Sequence, residues 1–157
     1  MSVDTSTRVG FEPQEIRTGE PTRSARLKWV VVVDESLPAG RAANAAVCVS
    51  AATVGGVDGL LGPDARDASG SPHPGLPWAG CSILAASTDQ LAQIRAKAVA
   101  SLGVFVADMP ASAQHTRVYD EYLTEVSTQD APSYYAVSIV GPRNRVDKIV
   151  GKLPLLP

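Results

Sequence analysis

Two aspartates, Asp34 and Asp108, each follow a short apolar run. Ligands of open α/β sheets bind beyond the carboxyl ends of the strands, so acids there stand where a site forms. If the two strands are parallel and adjacent, both carboxylates line one edge and make a polar site with the loops that follow. The plainer reading is that each Asp ends a strand and caps the next element. Ser112, His115 and Thr116 follow Asp108 within eight residues. A histidine near an acid and a hydroxyl suggests general-base chemistry. An exposed or helix-capping histidine gives the same pattern, and the chain has no Gly-x-Ser-x-Gly elbow. His73 stands between two prolines. Cys48 and Cys81 have neither metal-ligand spacing nor a disulfide pattern and read as small buried hydrophobes. Arg143, Arg145, Lys148 and Lys152 make the C-terminal segment basic. That segment is either a solvated helix face or a phosphate contact beside the Gly141-Pro142 turn. There is no Gly-x-x-x-x-Gly-Lys loop, so a nucleotide P-loop is rejected. Neither a metal nor a cofactor is expected.

The elements that must position these residues fit in 157 residues, enough for one domain and not comfortably two. A hydrophobic fraction of 45% can bury a core and rules out a wholly disordered chain. Fourteen basic and sixteen acidic residues give a formal charge of -2, which excludes a globally basic nucleic-acid binder. No run approaches the ~18 apolar residues that cross a bilayer. The polar first ten residues lack a signal-peptide core, so a cytoplasmic protein without membrane or DNA partners is the expectation.

Residues 1–25 read as an extension, mobile or laid across the body, with Phe11 and Ile16 as its anchors. The single domain is then 26–157. Residues 27–34, LKWVVVVD, form a β-branched run suited to a strand covered on both faces. A proline-free, alanine-rich helix follows over 41–54, ended by Gly55-Gly56. Eleven Gly or Pro in residues 55–80 predict one long loop, with Trp78 as an anchor near its end. Residues 81–86 make a second strand. Ser87-Thr88-Asp89-Gln90 is a capping box that opens a helix through Leu91, Ile94, Ala98 and Leu102, closed by Gly103. A third strand, 104–108, completes a right-handed parallel crossover and stops at Met109-Pro110. A helix over 111–126 carries Tyr119, Tyr122, Leu123 and Val126 on one face. A fourth strand over 133–140, a short helix over 143–150 and an apolar tail over 153–156 finish a three-layer α/β domain.

Lys28-Trp29-Val30-Val31-Val32-Val33-Asp34, Leu37-Pro38, Arg41-Ala42-Ala43-Asn44-Ala45-Ala46 and Val146-Asp147-Lys148-Ile149-Val150-Gly151-Lys152-Leu153 occur in that order. On these segments the chain, from about Leu27 to Pro157, resembles a bacterial domain-of-unknown-function family, the one numbered two thousand. Members of that family resemble type II peptidyl-tRNA hydrolases in fold. Gly40-Arg41 and Ala42-Ala43-Asn44 look similar to the hydrolases' Gly-Lys loop and Ala-Ala-Gln segment. Asp108 to Ser112 keeps an acid and a hydroxyl of their Asp-Ala-Gly-x-Thr segment, without its glycine turn. Gly141-Pro142 and Ile149 to Leu155 match their ending.

The resemblance implies a mixed four-stranded sheet with helices on both faces, a three-layer α/β/α sandwich, and a homodimer. It also implies a first function, hydrolysis or transfer of an acyl ester such as aminoacyl- or peptidyl-tRNA. Asp108 would orient or deprotonate water, Arg41 would stabilise negative charge or hold a phosphate, and Ser112 would hydrogen-bond substrate. Asp34, Asn44 and His115 would complete a ligand cleft, and Arg143 and Arg145 would contact an acceptor-stem backbone. The alternative is a noncatalytic module that binds a small ligand or a protein in the same strand-end cleft, with the long loop as its lid.

Overall fold

The computed structural model describes residues 8–157. Strand β1 (Leu27–Asp34) is buried from Trp29 to Asp34, as its valine run requires. Helix α1 spans Ala39–Gly56. Two short strands, β2 (Ala65–Arg66) and β3 (Pro72–His73), form a hairpin. Strand β4 (Ser82–Ala86), helix α2 (Thr88–Val99) and strand β5 (Phe105–Pro110) follow. Helices α3 (Ser112–His115) and α4 (Tyr119–Ser127), strand β6 (Tyr134–Pro142) and helix α5 (Arg143–Val150) complete the chain.

The main sheet has the order β4-β1-β6-β5. Strands β1 and β4 are parallel, and β6 runs antiparallel to both β1 and β5. It is therefore a mixed four-stranded sheet within an α/β fold. Alternation along β1 sends Val31 and Val33 to the α1 layer and Val30 and Val32 to the layer of α2 and α5. The α1 layer holds a buried polar chain. Trp29 Nε1 donates to Ser138 Oγ at 2.8 Å, Ser138 lies 2.7 Å from Thr53 Oγ1, and Thr53 donates to Val49 O at 2.6 Å. Because the single Thr53 proton goes to Val49, Ser138 donates to Thr53 and accepts from Trp29.

Several boundaries differ from the sequence reading, each for a local reason. Gly55-Gly56 lies inside α1 rather than beyond it. A Cβ on Gly56 would overlap the Phe105 ring, so this glycine permits helix–strand approach instead of ending the helix. Residues 55–80 are not one featureless loop. Asp67 accepts from the backbone of Ser69 and Ser71, which folds the β2–β3 turn. Trp78 donates to Gly59 O at 2.7 Å and packs its ring 4.8 Å from that of Phe11. Phe11 is buried and Ile16 packs against the same core, which pins this part of the chain before β1 to the body; residues 1–7 lie outside the described part. Strand β5 does not stop at Met109-Pro110. It continues through both with a bulge, which an edge strand tolerates because the missing proline N–H faces no partner.

The capping box at Ser87 forms with both reciprocal bonds, and Gly103 closes the turn after α2 at φ 72°. Leu102 is exposed and lies outside the helix face expected to hold it. The crossover from β4 to β5 joins parallel strands, but at opposite edges of the sheet, with β1 and β6 between them. The expected helix over 111–126 is split into α3 and α4, and none of the residues of α4 is buried. The apolar tail lies against β4, where Ala85 N donates to Pro154 O and Leu156 N to Ile83 O, each at 2.9 Å. Among the described residues no helix is long and apolar enough to cross a membrane.

Candidate functional site

Strand β5 is an edge of the sheet, and Asp108 stands within it, opposite Val137 of β6. Val106 and Val104, two and four residues earlier, pack in the α2 layer, so the alternation carries Asp108 toward that layer. There Arg95 of α2 donates from Nε to Asp108 Oδ2 at 3.2 Å. The same guanidinium lies 5.2 Å from the centre of the Tyr134 ring, an aromatic stop that fixes its position. The Asp108 side chain keeps 21% of its surface exposed. Burial raises the Tyr122 phenol above its ordinary range, and the negative charge of Asp108 raises it further. The carboxylate thus sits between an arginine on α2 and a tyrosine on α4.

Asp108 lines a cleft of 470 Å³ at the junction of α1, β5 and the α3–α4 segment. Cys48 and Ala52 of α1 form one wall, and Met109 and Ala113 line the base. Thr116, Arg117 and Val118, in the break between α3 and α4, join Tyr119 and Tyr122 on the other wall. Helix α4 packs on α3 rather than on the sheet, which leaves Tyr119 73% exposed at the rim. Arg117 forms no ion pair among the described residues. Apolar walls with a few convergent polar groups are the usual make-up of a small-molecule site.

The other residues singled out in the sequence stand elsewhere. Asp34 is 3% exposed and accepts from Ser36 N, Ser36 Oγ and Thr88 Oγ1 at 2.9, 2.7 and 2.7 Å. Burial opposes its charge, but the bonds from Ser36 and Thr88 outweigh that and hold the carboxyl below its ordinary range. Its role is to join the end of β1 to the start of α2. The strands of Asp34 and Asp108 are parallel but not adjacent, since β6 lies between them, and Asp34 does not line the Asp108 cleft. The cation beside Asp108 is Arg95, not Arg41. Arg41 is exposed at the start of α1, and its backbone oxygen accepts from Gln114 Nε2 at 3.0 Å. Asn44 Oδ1 accepts from the same nitrogen at 3.2 Å, so Asn44 braces α1 against α3.

Ser112 and His115 line a separate, more polar hollow with Glu125 and Asp130. Ser112 Oγ is buried without a partner, and His115 Nε2 lies 3.1 Å from Tyr135 Oη. Arg143 donates to Ala25 O and Thr22 O, tying α5 to the segment before β1. Arg145 donates to Leu102 O and latches α5 to the turn after α2. Among the described residues no group of three or more His, Cys, Asp or Glu stands where it could hold a metal ion.

The cysteines correct the sequence reading, for both are exposed. Cys48 faces outward on α1 and its thiol lies 3.8 Å from Asn44 Oδ1. Cys81 keeps an exposed edge, yet burial around its sulfur pushes the thiol up to about 12. Burial penalises the thiolate, so at pH 8 Cys81 is held almost wholly as the thiol. Iodoacetamide at pH 8 is expected to label Cys48 well before Cys81, with Cys81 labelling still rising past pH 10. Mass spectrometry of the timed digest reads both sites, and faster labelling of Cys81 would contradict this.

Arg95, which pairs with Asp108, and Tyr122, in the cleft wall, are among the residues that sequence reasoning missed as site residues. Arg95 follows Ile94 on an amphipathic helix and reads as a solvated position. Tyr122 reads as core because it falls on the apolar face of α4.

Residues 27–157 match the family described as "Protein of unknown function (DUF2000)". The match begins at the first residue of β1. A solved structure of the protein of unknown function Atu0240 from Agrobacterium tumefaciens str. C58 is similar, with a TM-score of 0.76 and 17% identity. The similarity covers 83% of this chain and 97% of that one, and it bears on the fold alone. No curated protein matches the chain.

Proposed function

Since the chain belongs to this family of proteins of unknown function, we propose from the geometry of the site that it is a small-ligand-binding domain. The ligand offers hydrogen-bond donors, such as an amine, to Asp108 and lays an apolar or aromatic body against Met109 and Tyr122. The observation that carries this reading is a partly exposed aspartate, its carboxylate held by Arg95, at the margin of a cleft whose walls are more apolar than polar. A carboxylate with one oxygen held by arginine still accepts from a ligand at its other oxygen.

The acyl-ester reading, with tRNA as substrate and a homodimer as the assembly, rests on resemblance to type II peptidyl-tRNA hydrolases. It needs Asp108, Arg41 and Ser112 around one reacting atom. Asp108 lines the α1–α4 cleft, Ser112 the neighbouring hollow and Arg41 neither, which favours the binding reading. Phenethylamine is a suitable first probe. Its occupancy is expected to slow alkylation of Cys48, which lines the cleft, and to leave Cys81 unaffected. An unchanged Cys48 rate at about 10 mM probe would count against an amine-binding cleft. Release of the acyl group from charged tRNA by this chain would favour the hydrolase reading instead.

A further inference from the structure

A second cleft, of 470 Å³, opens on the other side of the molecule between the segment before β1 and the start of β4. Its charged lining is cationic throughout: Arg23 from the leading segment, Lys28 from β1 and Arg143 from the start of α5. Thr22 and Ser82 add hydroxyl groups, and no carboxylate lines it among the described residues. In a chain of net charge -2, three cations around one hollow are a local concentration of positive potential.

The surrounding bonds leave that charge largely free. Asp147 pairs with Lys28 at 2.6 Å and offsets one of the three. Arg143 spends two donors on backbone oxygens, Nε on Ala25 O at 2.6 Å and Nη2 on Thr22 O at 2.8 Å. Those bonds hold the guanidinium in place without cancelling its charge, and they set the leading segment at the distance that forms the cleft wall. Arg23 has no ion-pair partner among the described residues. Arg23 and Thr22 precede the family match, which starts at residue 27, so one wall comes from a part of the chain outside it.

We propose that this cleft binds a small phosphomonoester, with Arg23, Arg143 and Lys28 around the phosphate and Thr22 and Ser82 bonding its oxygens. A phosphate dianion accepts several charge-assisted bonds at once and suits guanidinium geometry. A nucleic-acid backbone would call for a basic stripe. In the neighbouring hollow Arg17 and Arg26 are paired with Glu20 and Glu15, so the unpaired positive charge does not extend into it from the cleft. The volume falls in the range of small-molecule sites.

Titration calorimetry on the full chain, with inorganic phosphate, glucose 6-phosphate and glucose as probes, tests this. The sugar phosphate is expected to bind, glucose is not, and affinity is expected to fall as salt rises from about 0.05 to 0.5 M. Arg23→Ser removes an exposed side chain that holds no other element, so it should leave thermal melting unchanged and weaken binding about tenfold or more. Phosphate binding as tightly as the sugar phosphate would mean an adventitious ion only and would overturn the small-ester reading. So would equal binding of glucose, no binding up to about 10 mM, or full affinity in Arg23→Ser with melting intact.

Discussion

Replacing Val31 with Asp is expected to destabilise the domain by about 4 kcal/mol or more, a large share of the ~5–15 kcal/mol that holds a domain of this size together. Val31 is fully buried in the α1 layer, in a strand with neighbours on both sides. No lysine or arginine is buried among the described residues, so an aspartate there must either ionise unpaired or fold only when protonated. Val32→Asp tests the opposite layer, because Val32 is equally buried against α2 and α5. Val47→Asp serves as the control: Val47 is 66% exposed on α1, and its change should cost less than about 1 kcal/mol. Urea titration of the three variants gives the comparison. Wild-type stability in either strand variant would show that one face of β1 is not covered.

Ser138→Ala is expected to cost about 2–3 kcal/mol although it removes a single oxygen. It strands the Trp29 indole N–H and leaves the Thr53 hydroxyl oxygen without its donor, both in a buried layer. A cavity argument alone predicts much less, since only one small atom is lost. The two accounts separate in the triple variant Trp29→Phe, Thr53→Val, Ser138→Ala, in which no member of the chain is left orphaned. Its cost should fall well below the sum of the single changes, because the three residues act as one network. Additive costs would show that the hydrogen bonds contribute little and that packing dominates.

The four strands of the main sheet were legible because each is a compact apolar run, although β5 and β6 continue through the Met109-Pro110 and Gly141-Pro142 that look like stops. β1 has four valines and then Asp34-Glu35, and α2 starts at a capping box that forms as written. Features that depend on distant partners were not legible. Gly55-Gly56 looks like a helix stop from local propensity, and only the approach of Phe105 shows why α1 runs through it. Pro110 looks like a strand breaker unless β5 is known to be an edge. The same limit governs the site. Asp108 stood out as an acid on an apolar run, but its partner Arg95 lies one element earlier, and nothing in the intervening residues pairs them. Asp34 looked equivalent in sequence and proved to be buried among Ser36 and Thr88. Arg143 and Arg145 drew attention as charges, while their backbone carbonyl partners carry no sequence signal.

The ligand cleft beside Asp108 is most directly tested through the Met109 methyl group. The chain has two methionines, so a ¹³C-methyl spectrum resolves Met109 as a reporter at the base of the cleft. Phenethylamine titrated into wild type is expected to shift the Met109 resonance in a saturable way. Asp108→Asn should keep the fold, since the partly exposed pair with Arg95 contributes about 0–1 kcal/mol, yet weaken the titration about tenfold or more. A Met109 resonance that does not move, or that moves with the same affinity in Asp108→Asn, would contradict Asp108 as the anchor of a ligand site.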